Sequence, residues 1–111
     1  MTLPTDDEMM AALAQTREYT VVLLKAGPAY DTEDAPAIVR EHGRRNFALR
    51  ADGSLNIVCP VLDDSGLRGV GIFARSLDQT REIMEGDPGV QAGVLVYEMH
   101  PVRSFPGDAL A

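Results

Sequence analysis

Two side chains in this sequence are suited to moving a proton. The first is Asp87, in the segment MEGDPGVQAG (Met84–Gly93), where it stands directly before Pro88 in a nest of glycines. A plain helix stop needs only the neighbours: Gly86 can close a helix in the left-handed conformation, and Pro88 drives the residue before it out of helical dihedrals. Neither accounts for the acid. The second is His42. The spacing of Ala35, Ile38, His42 and Leu49 predicts one helical stripe, which turns the imidazole toward the body of the protein. If the helix bearing His42 lies beside the one that ends before Asp87, the carboxylate can accept from one ring nitrogen and leave the other free as a base. Such a pair suits proton abstraction or elimination on a small substrate. The same bond would also serve a purely structural end, satisfying a buried histidine and tying two helices together.

Other candidates carry less. Arg44, Arg45 and Arg50 follow His42 on the same helix and read as a solvated face. Arg45, at i+3 from His42, is the best placed to neutralise a substrate carboxylate. Cys59 is the sole cysteine, so the chain has no intramolecular disulfide and no multi-thiolate zinc site. Its simplest role is that of a small hydrophobe. His42, Asp87 and Cys59 match no zinc spacing, and no metal site is expected. His100 falls at the end of a strand. GPAYD and GVGIF lack the phosphate-loop pattern, so no nucleotide cofactor is indicated, and none of any other kind.

The elements that would position this pair can be read along the chain. Thr5 and Glu8 stand at capping-box spacing ahead of Met9, Met10 and Leu13, which predicts a short N-terminal helix within an extension over residues 1–16. EYTVVLLKAG reads as a strand covered on both faces. Asp31, Thr32 and Asp34 offer N-cap oxygens before a long helix, APAIVREHGRRNFALRAD, with Pro36 in its first turn. SLNIVCPVL and RGVGIFA form a hairpin through DDSG, and Gly69 and Gly71 suggest close backbone approach in its second strand. Ser76 and Gln79 box the start of SLDQTREIMEG, and AGVLVYEMHPV is the last strand, ahead of a tail over residues 105–111. The order within residues 17–104 is βαββαβ: an α+β, ferredoxin-like fold with a four-stranded antiparallel sheet and both helices on one face.

The last strand carries apolar residues on both faces, Val94 and Val96 on one and Leu95, Tyr97 and Met99 on the other, with Tyr97 assigned to the face turned toward a partner. An uncovered apolar sheet face is rare in a monomer, so face-to-face pairing as a homodimer is expected. Seventeen acids against ten bases, a formal charge of −7, disfavour nucleic acid. The acidic N-terminus lacks a signal-peptide core, and no stretch approaches the ~20 apolar residues of a membrane span. A cytoplasmic protein without a membrane partner is expected.

Four features in order, REHGRRNF, CPVLDD, SLDQTREIM and DPGVQAGVLVYEMHPV, make the chain from Tyr19 to about Val102 resemble the YCII-related domains. Those carry a His in the first helix, a Gly-Pro after the second strand, a Ser-led second helix, and an Asp-Pro followed by Ala-Gly and a last strand. The resemblance implies a dimeric α/β barrel of ferredoxin-like subunits and maps a His–Asp dyad onto His42 and Asp87. It also implies a small cofactor-independent enzyme of isomerase, lyase or dehydrochlorinase type, acting on a small organic acid or phenol. A non-catalytic small-molecule-binding module is the alternative. One departure is Cys59 before Pro60, where the family has Gly. A thiol there would narrow the pocket or add a reactive group, which puts Cys59 and Pro60 with Arg45 among the expected substrate contacts.

Overall fold

The computed structural model describes all residues, 1–111. Its elements are α1 (Asp6–Leu13), β1 (Arg17–Ala26), α2 (Ala35–Ala51), β2 (Leu55–Pro60), β3 (Leu67–Phe73), α3 (Leu77–Glu85), α4 (Pro88–Gln91) and β4 (Leu95–Ser104). The strands form one antiparallel sheet in the order β2-β3-β1-β4. This is the expected α+β, ferredoxin-like arrangement, with one additional short helix, α4.

Both expected capping boxes are formed, Thr5 with Glu8 and Ser76 with Gln79. The start of α2 differs: its N-cap Asp34 makes no side-chain cap bond, and the Thr32 hydroxyl donates to the Ala29 carbonyl instead. Gly86 ends α3 at φ −87°, in the right-handed region, so its value is not conformational. A Cβ there would sit 2.8 Å from an Arg45 guanidinium nitrogen. Smallness at Gly86 gives Arg45 its path to the end of α3. Strand β4 runs two residues past the expected segment AGVLVYEMHPV, pairing Ser104 with Arg17.

Alternation sorts the sheet into two faces. Thr20, Val22 and Leu24 of β1 are buried under the helices and lie across from Phe73, Gly71 and Gly69 of β3. Tyr97 stands opposite Leu24 and packs, with Met99, against the buried core. That corrects the orientation of β4: Leu95, Tyr97 and Met99 face the helices. Alternation separates a strand's residues into two sets, but only packing decides which set is inside. The other face carries Val21, Leu23, Val70 and Ile72, with Lys25, Glu98 and His100 joined in a polar cluster at the β4 edge. Helix α1 contributes no buried residue, and Met9 and Met10 are exposed.

One buried hydroxyl lacks a partner. Thr80 is 0 % exposed and its Oγ1 makes no hydrogen bond. Desolvating an unpaired hydroxyl costs about 1–3 kcal/mol. Thr80→Val keeps the shape and the β-branching while removing that cost. Thermal melts should show Tm raised by roughly 4–8 °C, the equivalent of about 1 kcal/mol in a domain of this size. An unchanged or lowered Tm would mean that the hydroxyl is satisfied.

Candidate functional site

The site is built where α2, α4 and the middle of the sheet meet. His42 Nδ1 lies 2.8 Å from Asp87 Oδ1, and the two side chains are 14 % and 2 % exposed. Pro88 holds Asp87 in the extended region, at φ −75° and ψ 132°, where it becomes the N-cap of α4. Its Oδ2 accepts from the backbone N–H groups of Gly89 at 2.9 Å and Val90 at 3.2 Å. The acid inside a turn is thereby explained: one oxygen starts a helix and the other meets a histidine.

This arrangement determines the protonation pattern. Burial by itself would push the Asp87 carboxyl up. The hydrogen bond and charge of His42, together with the Val90 and Gly89 amides, outweigh burial and hold it below the ordinary carboxylate range. An ionised carboxylate only accepts, so His42 Nδ1 must donate. In the neutral ring Nε2 then keeps its lone pair. Asn46 Nδ2, one turn along α2, approaches that nitrogen at 3.2 Å and donates to it.

The lowered carboxyl has a consequence for stability. A depressed folded-state value means that ionised Asp87 contributes fully above the unfolded-state value near pH 4, and that the contribution is lost as pH falls through the lower folded value. Urea unfolding across pH 2–6 should show wild type losing stability below about pH 4 more steeply than Asp87→Asn. Parallel curves would contradict the charge assignment.

His42 and Asn46 share a cavity of about 300 Å³ with Gly43, Tyr30, Pro60 and Arg68. A second, smaller hollow of about 40 Å³, also bordered by His42 and Asn46, is lined by Val22, Leu24, Leu55 and Phe73. Gly69 and Gly71 help to make this hollow, lying on the helix-facing side opposite Leu24 and Val22. The expected close backbone approach is absent at Gly69, where the nearest atoms to an added Cβ are at 3.7 Å. An added Cβ at Gly43 meets nothing within 4 Å, so the helix is open beside the imidazole.

The remaining expected site residues are placed as follows. Arg45 does not line this cavity. Its Nη1 donates to the Ile83 carbonyl at 2.7 Å and stands 3.9 Å from Asp87 Oδ1. The unsatisfied carbonyls at the end of α3 draw the guanidinium there, away from any ligand beside His42. Pro60 and Cys59 border the cavity from the edge strand; Cys59 is exposed and pairs with Val70. No group of three or more His, Cys, Asp or Glu side chains is placed to hold a metal ion, and no helix is long and apolar enough to cross a membrane. Two cavity residues escaped the sequence reading. Asn46 had a signal, its i+4 spacing from His42; Arg68, beside a turn, had none.

The fold is the ferredoxin-like α+β arrangement. Among solved structures the chain is similar to 5-chloro-2-hydroxyhydroquinone dehydrochlorinase (TftG) from Burkholderia phenoliruptrix AC1100, in complex with 2,5-dihydroxybenzoquinone. The TM-score is 0.51 at 17 % sequence identity, over 74 % of this chain and 90 % of that one. No family model and no curated protein matches the sequence.

Proposed function

We propose that this protein is a cofactor-independent acid–base enzyme of isomerase, lyase or dehydrochlorinase type, acting on a small organic acid or phenol. The observation that carries this reading is the 2.8 Å bond between His42 and a carboxylate already fixed by two backbone amides, on the wall of a cavity of about 300 Å³. In this mechanism Asp87 holds the Nδ1–H tautomer, and the Nε2 lone pair takes a substrate proton once the Asn46 amide yields. Asp87 stabilises the imidazolium that forms. Returning the proton at another atom completes an isomerisation. In an elimination the electron pair moves into the ring and chloride leaves with the electrons of the C–Cl bond, so no redox partner is required.

The dehydrochlorinase similarity suggests the first assay, chloride release from 5-chloro-2-hydroxyhydroquinone, followed by a panel of small lactones and chlorophenols. Turnover by wild type that falls at least ~10²-fold in His42→Ala and His42→Gln supports the reading, in line with the usual contribution of general-base catalysis. Turnover unaffected by both variants rejects it. Binding without turnover across the panel selects the non-catalytic module, which the Asn46 bond over Nε2 would also suit.

The same reading extends to assembly and location. We infer that two copies pair through the open sheet face, where Val21, Leu23, Val70 and Ile72 lie. Sedimentation at micromolar concentration should give twice the 12.0 kDa chain mass; a strict monomer would reject the pairing. The exposed thiol of Cys59 suits a reducing compartment such as the cytoplasm.

A further inference from the structure

One cation on the wall of the His42 cavity has no acid beside it. Arg68 lines the cavity with His42 and Asn46, and its guanidinium lies 5.4 Å from the centre of the Tyr30 ring, another part of the same wall. Its Nε is buried with no hydrogen-bond partner. No carboxylate oxygen lies within 4.0 Å of it, although the chain has seventeen acids. Asp63 in the β2–β3 turn feels its charge but is engaged with Ser65. Arg17, Arg40, Arg50 and Arg103 also have no ion pair, but none of them lines the cavity. No Asp or Glu lines the cavity.

A guanidinium on the wall of a cavity that holds no acid offers parallel donors to a planar anion. Stacking on Tyr30 restrains the plane of that fork. We propose that Arg68 is the anion-binding residue of the His42 cavity, and that the ligand is a single small ring bearing a carboxylate or a phenolate. This rests on the acid–base reading and narrows it. With a carboxylate the charge is present on arrival. With a phenol it forms when His42 Nε2 takes the hydroxyl proton, leaving the oxygen anion on Arg68 and the proton on the imidazole. A cavity of about 300 Å³ is at the small end of ligand sites and suits one ring.

The test is titration of ¹⁵N-labelled protein with benzoate, 4-nitrophenolate and the neutral benzamide, following the Arg68 Nε–H and His42 ring signals. Wild type should bind at least one of the two anions at these signals, at least about tenfold more tightly than benzamide. Which of them binds identifies the source of the charge. Arg68→Gln should lose that tenfold preference, and Arg68→Lys should restore part of it as a point charge. Neither anion bound better than benzamide, or a preference that survives in Arg68→Gln, overturns the proposal; amide spectra verify that each variant is folded. Turnover that depends on His42 with no preference for anions would sink the anion site alone. Anion-selective binding with no turnover on any substrate would instead sink the enzyme and keep the site.

Discussion

Asp87→Asn is expected to lower the proposed turnover by about 10³-fold while leaving the fold in place, because it reverses the histidine rather than removing it. Asn is as good an N-cap as Asp, so its carbonyl oxygen can still accept from Gly89 and Val90 and α4 still begins where it does. The amide nitrogen then occupies the place of Oδ1, 2.8 Å from His42 Nδ1. A donor there requires Nδ1 to accept, so the ring proton moves to Nε2 and the lone pair on that nitrogen disappears. Asn46 can follow by turning its carbonyl oxygen to the new N–H. The ¹⁵N shifts of the imidazole report the tautomer independently of any substrate: Nδ1 should be the protonated nitrogen in wild type and Nε2 in the variant. An unchanged tautomer would show that Asp87 does not orient the ring. A reversed tautomer with full activity would show that the ring is oriented for structure alone.

The largest effect on stability is expected at Gly27→Ala. Gly27 donates to the Val94 carbonyl at 2.8 Å, and Ala29 donates to Gly93 at 2.9 Å, where the end of β1 crosses the start of β4. A Cβ at Gly27 would overlap the Gly93 carbonyl oxygen and lie 3.1 Å from the carbonyl carbons of Gly93 and Val94. All three atoms are main chain, so no rotamer change relieves the clash. A loss of about 3 kcal/mol is expected, seen as a fall in Tm of roughly 12 °C or more. The disturbance should reach His42, because Val94 is bonded to Gly89 of the short helix that Asp87 caps. Gly43→Ala is the natural control. It lies in a helix with open space around it, so it should gain up to about 1 kcal/mol. Equal Tm values for the two variants would dismiss the close approach.

Much of this architecture is legible locally. Capping boxes at Thr5 and Ser76 depend on residues three apart, and both form as read. The βαββαβ order follows from where apolar periodicity changes between two and 3.6, signals carried within each segment. Proline's restriction of the residue before it is equally local, and it puts Asp87 in extended backbone. What local rules miss is instructive. Helix α4 is a single turn of four residues whose start depends on the Asp87 side chain, too short for any periodic signal. Gly86 has the residue type of a left-handed helix stop, yet it is small because Arg45 passes over it from another helix.

For the site, the sequence by itself determined which groups could do chemistry: a histidine on an inward helical stripe, and an acid that a following proline holds outside the helix. Their approach to 2.8 Å was decided only by the packing of α2 against α4, a contact between residues forty-five positions apart. The same packing decided that Arg45 spends its charge on the end of α3 while Arg68 is left facing the cavity without a partner. Spacing singled out Arg45 and passed over Arg68, because a long cationic side chain takes its role from the acceptors it can reach, and those are set by the tertiary fold.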